Sequence, residues 1–266
     1  AGFHLDCTAS RGILLSNILG KSYRKLVRRR AMPYLQNSAL HTMCGGISHR
    51  GCDFASHLLN ATLDISRMRK TSIAVFFVDV VAAFDSVLHS FIIDLELSDE
   101  SILYLMDRLN LPSECFADLC AALRAPSALS AAGVPAHLQG VISDILTDNW
   151  FLIENNPNPC TINRSTKQGD PLADLLFNFF VAVILKQIRS ALTEHGFGVP
   201  YTPVSTTLFG DLEPGVVTDL SYVDDGTFPH EITNNTKALP DMQSMTSIVA
   251  RVFYAHALLP NFKKGK

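Results

Sequence analysis

Hydrophobic and polar positions alternate along this chain with a few clear periods. From residue 11 to residue 30 apolar and basic residues interleave at helical spacing, and Ile18, Leu19, Tyr23, Leu26 and Val27 share one predicted face. Pro33 is expected to end that helix or to open the next element. Over residues 53–68 the period returns in Phe54, Leu58, Ala61 and Ile65, with Asp53 as cap. Residues 73–78 form an unbroken apolar run, the pattern of a strand buried on both faces, and lead straight into Asp79. Ala82-Ala83-Phe84 then opens a short helix or turn.

Residues 99–149 read mostly as helix, broken at Pro112, Pro126 and Gly133-Val134-Pro135. Residues 150–153 form a strand, 155–159 a turn and 161–163 its return. The loop 166–171 feeds a long helix over 172–192, with Asp170 suited to the N-cap and Pro171 to the first turn. The stretch 201–218 reads as a loop-rich insertion. Two β-prone runs flank Asp224-Asp225-Gly226, so a hairpin with the acids at its tip is expected there. An amphipathic helix over 239–258 ends near Pro260. This order predicts an α+β fold: a small antiparallel sheet with helices packed on one face.

Composition narrows the class without naming a function. The 266 residues are 47% hydrophobic and 18% charged, which excludes a disordered chain and suffices for one large domain or two lobes sharing a core. The formal net charge is −3, yet Lys21, Arg24, Lys25, Arg28, Arg29 and Arg30 form a basic run without an acid, suited to phosphate contacts or to a solvated helix face. The six cysteines include no CxxC pair and are expected as free thiols of a reducing compartment, nucleus or cytoplasm. His41, Cys44, His49 and Cys52 have near-legal zinc spacing, but no finger-like pattern follows. The start lacks the charged and apolar regions of a signal peptide, and residues 171–185 are too short a run to span a membrane. A start without Met and a stop at Lys263-Lys264-Gly265-Lys266 lead us to expect a piece of a longer polypeptide.

Three carboxylates on two neighbouring strand ends, Asp79, Asp224 and Asp225, suit a pair of divalent ions. Four stretches in order resemble the palm motifs of a reverse transcriptase, most closely of the non-LTR retrotransposon type. They are Phe77-Val78-Asp79-Val80-Val81-Ala82-Ala83-Phe84-Asp85-Ser86-Val87, Thr166-Lys167-Gln168-Gly169-Asp170-Pro171-Leu172, Tyr222-Val223-Asp224-Asp225 and Asn261-Phe262-Lys263-Lys264-Gly265-Lys266. Upstream, Arg11-Gly12-Ile13-Leu14-Leu15 with Lys21 resembles part of the fingers, and Gly45-Gly46-Ile47-Ser48-His49-Arg50-Gly51 the lead-in to the helix before the first motif.

The resemblance implies a right-hand polymerase palm with helical fingers and the thumb missing. Residues 1–70 would be fingers and the lead-in helix, 71–98 the palm with the first motif, 99–149 a helical connection, and 150–266 the palm with the remaining motifs. It implies an RNA-directed DNA polymerase using dNTPs, an RNA template and a DNA primer, with two Mg²⁺ (Mn²⁺ as a substitute) and no membrane. Endonuclease and thumb regions would lie elsewhere in a polyprotein. Asp79 and Asp224 would bridge both ions, with Asp225 as auxiliary ligand and the Val80 carbonyl as a further one. Phe84 resembles a steric gate against a 2′-OH, Gln168 and Gly169 the loop on the incoming base, and Arg11 the triphosphate grip. Lys266, or else Lys264, matches the fourth-motif general acid, and Lys21, Arg24 and Arg28 would meet nucleic acid. Two features depart from the pattern. Ser165 stands where the family often has glycine, and Asp85 lies at a spacing that some RNA polymerases use to read the sugar. The competing expectations are a retroelement-derived RNA-binding module without chemistry and a zinc-stabilised binding module.

Overall fold

A computed structural model describes residues 17–95, 97–109, 112–147, 149–151, 158, 160–162, 164–202 and 213–261. Helix α1 (Ile18–Ser38) starts at Asn17, whose side chain accepts from Gly20 N–H at 2.7 Å. Pro33 does not end it but lies inside, on the exposed side, where water can take the carbonyl that proline leaves without a donor. The buried stripe is also not the predicted one. Val27, Ala31 and Leu35 face the core, whereas Ile18 and Leu19 are more than 80% exposed. Strand β1 (Met43–Cys44) and helix α2 (Cys52–Arg69) follow. Gly51, not Asp53, stands at the cap of α2, and Thr62 and Ser66 are its buried residues while Phe54 and Ala61 are exposed.

Strand β2 (Ser72–Val78) leads to two single-turn helices, α3 (Ala83–Ser86) and α4 (His89–Ile92). Helices α5 (Asp99–Leu109), α6 (Phe116–Arg124), α7 (Ala128–Ala131) and α8 (Ala136–Leu146) come next, with breaks where Pro112, Pro126 and Gly133 were expected to make them. Gly133 adopts φ +71°, a conformation that glycine reaches without a Cβ penalty. Strands β3 (Asn149–Phe151) and β4 (Cys160–Ile162) form a separate antiparallel ribbon. Helix α9 (Ala173–Glu194) is followed by β5 (Val199–Tyr201) and β6 (Gly215–Val217), a short antiparallel pair at the two ends of the stretch expected to be an insertion. Strands β7 (Leu220–Tyr222) and β8 (Asp225–Ile232) and helix α10 (Ala238–Ala255) complete the order.

The main sheet runs β1-β7-β8-β2, and it is mixed rather than purely antiparallel because β1 joins β7 in parallel. In the β2–β8 register Val78 lies opposite Gly226, Phe76 opposite Phe228 and Ala74 opposite His230. These residues share one face. Phe228 is wholly buried there, in the core that α9 and α10 build. The other face is not bare along its whole length. At its far end Glu231 pairs with Arg69 and accepts from Thr71, beside α2. Helices therefore cover both faces, and among the described residues the end of the sheet near Asp79 is left uncovered on the Phe77 side. Strand β2 is an edge strand, so it is half-buried and not doubly buried as its apolar run suggested, and Phe77 is 61% exposed.

Helix α9 is long and apolar enough to cross a membrane, but most of that stretch is buried inside the protein, with α1, α4, α7 and α10 against it. Phe177, Phe179 and Phe180 are each buried, and Phe177 stacks on Phe84 at 4.5 Å while Phe180 stacks on Phe91 at 5.3 Å.

Candidate active site

The site begins where β2 runs out. The β2–β8 register ends with the pair Val78–Gly226, so Asp79 and Asp225 are the next residues of their two segments at the same end of the sheet. The hairpin that carries the acids is tighter than the Asp-Asp-Gly motif suggested. Tyr222 pairs with Asp225, so the two-residue loop is Val223-Asp224, and Asp225 already belongs to β8. Val223 takes φ +57°, and Asp224 has no positive φ. A left-handed first loop residue is the pattern that a right-twisted hairpin prefers, but glycine usually fills it. A β-branched residue there costs on the order of 1–3 kcal/mol and persists only when its surroundings impose it.

Asp79 is held from the other side by the segment after α10. Asn261 Nδ2 donates to Asp79 Oδ2 at 3.0 Å, and the Asn261 N–H donates to the Asp79 carbonyl at 2.8 Å. With the Val81 N–H bonded to the Leu259 carbonyl, these bonds flank an antiparallel bridge between Val80 and Pro260. In such a bridge the Val80 carbonyl points away from the Pro260 segment. Asp79, Asp225, Phe77, Thr227 and Asn261 line one cavity of about 560 Å³. Asp224 lines a separate narrow crevice with Val80, Phe177 and Leu258, which Asp225 also touches.

Among the described residues no three His, Cys, Asp or Glu side chains converge as a closed metal cage. The donors are nonetheless all oxygen, as a hard cation requires. Mg²⁺ commonly takes only one or two carboxylates from protein and fills the rest with water and substrate phosphates. Asp79 and Asp225, on one cavity, fit that demand. The zinc set fails, since Cys44 is a buried strand residue whose thiol is pushed up by burial, and it belongs to no such cluster.

A second group of bonds ties the segment after Asp79 to the loop before α9. Thr166 N–H donates to the Phe84 carbonyl at 2.9 Å and Ser165 N–H to the Val87 carbonyl at 2.7 Å. Ser165 has φ +86°, which explains why a glycine would suit this position; here the Ser165 hydroxyl donates to Asp85 Oδ1 at 3.0 Å and accepts from Lys167 N–H at 2.9 Å. Asp85 thus has a protein partner. His89 Nε2 bonds the Ser165 carbonyl at 3.0 Å, which requires the proton on Nε2, and burial keeps the ring pKa below its ordinary value. Phe84 is half-buried on Phe177, while Gly169 (φ +90°) is exposed and Gln168 half-exposed beside it.

Lys167 carries a buried ammonium that donates to the Ile145 carbonyl at 3.1 Å, and desolvation followed by nearby Arg24 lowers its pKa to about 8. Asp170 Oδ1 accepts from Leu172 N–H at 2.9 Å, a bond within the loop, and Oδ2 lies 2.7 Å from Arg24 Nη1. The N-cap of α9 is Leu172, not Asp170 as expected, and Pro171 precedes the first turn because the helix starts only at Ala173. Arg28 pairs with Asp174 through both guanidinium nitrogens and also donates to the Pro171 carbonyl. Arg24 and Arg28 are therefore engaged inside the protein, and the basic residues of α1 that face outward are Lys25, Arg29 and Arg30, with Lys21 half-exposed. Arg11, Lys264 and Lys266 lie outside the described residues. Asn261 and Asp174 were not singled out by sequence reasoning, and Ser165 only as a departure from the motif. Of the first two, only Asn261 carried a signal, its place at the head of the fourth motif.

No family model matches the chain, and no curated protein does. Solved structures do. Apo telomerase from Candida Tropicalis matches with a TM-score of 0.50 at 11% identity, over 92% of this chain and 36% of that one. The same telomerase truncated from its C-terminal domain gives 0.47 at 13%, over 93% and 42%. Telomerase from Candida albicans in complex with a TWJ fragment of telomeric RNA gives 0.45 at 10%, over 92% and 33%. The chain thus spans well under half the length of the structures it matches. The likeness to the first shows the fold, a reverse-transcriptase-like arrangement of helices about a small palm-type sheet.

Proposed function

We propose that this chain is the polymerase part of a reverse transcriptase of the non-LTR retroelement type, transferring a nucleotide from a dNTP to a primer 3′-OH on an RNA template. The observation that carries this reading is that Asp79 and Asp225, the residues just past the last β2–β8 pair, line one cavity at the end of the sheet. Asp79, Asp224 and Asp225, with the Val80 carbonyl, are the groups that would hold two Mg²⁺ or Mn²⁺. When bound, two such ions supply charge stabilisation for the attacking and leaving oxygens.

The chain's own residues do the rest. The Phe84 ring, fixed by its stack on Phe177, limits the space beside the sugar. Gln168 and Gly169 present a loop to the base, and the exposed Gly169 allows close backbone approach. Arg11 grips the triphosphate. Lys266, or Lys264, gives a proton to the departing pyrophosphate. Endonuclease and thumb regions of the same polyprotein complete the assembly.

A second reading, an RNA-binding module of retroelement descent without chemistry, draws on one observation: Asp79 and Asp224 line different hollows. Incorporation of labelled dTTP on poly(rA)/oligo(dT) with Mg²⁺, beside Mn²⁺ binding followed by electron paramagnetic resonance, separates the two. Both signals should be present and fall in Asp79→Asn and Asp224→Asn. Retention of RNA with neither signal in the wild type favours the second reading.

A further inference from the structure

The strained hairpin tip is held by a turn remote in sequence. Val223 N–H donates to the Cys44 carbonyl at 3.0 Å, which extends the β1–β7 pairing into the loop. The Val223 side chain lies directly over Gly45, where a Cβ would overlap Val223 Cγ2. Gly45 and Gly46 take φ +80° and +67°. A Cβ on Gly46 would come within 2.7 Å of Asn178 Nδ2 and 2.8 Å of Asp174 Oδ2. Asn178, almost wholly buried, donates to the Gly45 carbonyl at 3.0 Å, and Arg28 reaches the Gly46 carbonyl at 3.3 Å while paired with Asp174.

Three elements that never meet in sequence are therefore locked through two glycines: α1 by Arg28, α9 by Asp174 and Asn178, and the acid hairpin by Val223. Only a residue without a side chain lets the hairpin tip and the start of α9 close on the same turn. We infer that Gly45 and Gly46 are a positioning element that imposes the left-handed Val223 and so sets where Asp224 and Asp225 stand. The consequence for catalysis rests on the polymerase reading; the clamp itself does not.

The test therefore reads both. Hydrogen exchange at the Val223 amide should be about tenfold faster in Gly45→Ala than in the wild type, and Gly45→Ala/Val223→Ala, which removes the overlapping methyl, should recover part of that protection. Asn178→Ser removes the donor to the Gly45 carbonyl and leaves the space at Gly45 alone, so it serves if Gly45→Ala fails to fold; it should speed the same amide. In primer extension Gly45→Ala should lower kcat with the KM for dTTP held, and the double variant should regain part of it. Equal Val223 exchange in the wild type, Gly45→Ala and Asn178→Ser would overturn the clamp. A wild type that makes no DNA and binds no Mn²⁺, yet shows the exchange pattern, sinks the polymerase reading and leaves the clamp standing.

Discussion

Asn261 holds Asp79 twice, by its side-chain amide on Oδ2 at 3.0 Å and by its backbone N–H on the carbonyl at 2.8 Å. The pair are 182 residues apart in sequence. Asp79 follows an edge strand, and the Asn261 amide adds a side-chain hold on its carboxylate to the backbone bonds of the Val80–Pro260 bridge. Asn261→Ala keeps the backbone bond and removes the amide. Partners that orient a metal-holding carboxylate typically matter by about 10- to 100-fold in metal affinity. Mn²⁺ affinity should fall by about tenfold in Asn261→Ala, with thermal stability nearly unchanged; an unchanged affinity would show that the amide does not orient Asp79.

Phe84 combines a packing role with a proposed selective one. Phe84→Ala loses the stack on Phe177. Because the ring is half-buried, the expected destabilisation is about 2 kcal/mol, below the roughly 3–5 kcal/mol of a fully buried phenylalanine. Denaturant unfolding reads that cost. Primer extension reads the rest: rNTP use should rise relative to dNTP use. An equal fall in both would assign Phe84 to the core alone.

The basic run on α1 divides by face. Arg24 and Arg28 pair with Asp170 and Asp174, whereas Lys25, Arg29 and Arg30 face solvent. Replacing the outward three by glutamine should flatten the salt dependence of single-stranded RNA binding by about 2 in log–log slope, at roughly 0.7 per phosphate contact. Arg24→Gln/Arg28→Gln should lower the melting temperature and leave that slope in place. The reverse outcome would return Arg24 and Arg28 to the nucleic-acid surface.

Lys167 links stability to pH with a definite sign. Its pKa is lowered from 10.5 to about 8 by burial. Between those values the unfolded chain binds the proton more than the folded one, so this group's contribution to stability rises with pH. The cost of the buried ammonium is present in full below about pH 8. Wild type should therefore gain stability on Lys167→Met as pH rises from 8 to 10, read by thermal melts in matched buffers. A constant difference would mean that Lys167 titrates in the folded protein as it does in water.

Strand β1 and the β5–β6 pair apart, most elements and their order were already set by local chemistry: apolar periods for α9 and α10, proline and glycine breaks between α5 and α8, a hairpin at Asp224. These depend on neighbours within a turn or two, and so a single chain carries them. What local pattern misread is equally specific. The apolar run of β2 signalled double burial, but its place at a sheet edge is set by β8, more than a hundred residues later. The face that α1 buries is the one where Val27, Ala31 and Leu35 meet the core, with Arg24 and Arg28 paired to Asp170 and Asp174, while Ile18 and Leu19 stay exposed. The motif order placed Asp79 and Asp224 as partners with Asp225 auxiliary, whereas the structure puts Asp79 and Asp225 on one cavity and Asp224 in an adjoining crevice. That Asp79 and Asp225 share one cavity, that Asn261 secures the first, and that a Gly45–Gly46 turn holds the tip beside the second were decided only by tertiary structure, because each depends on a contact whose two halves carry no period or spacing in common.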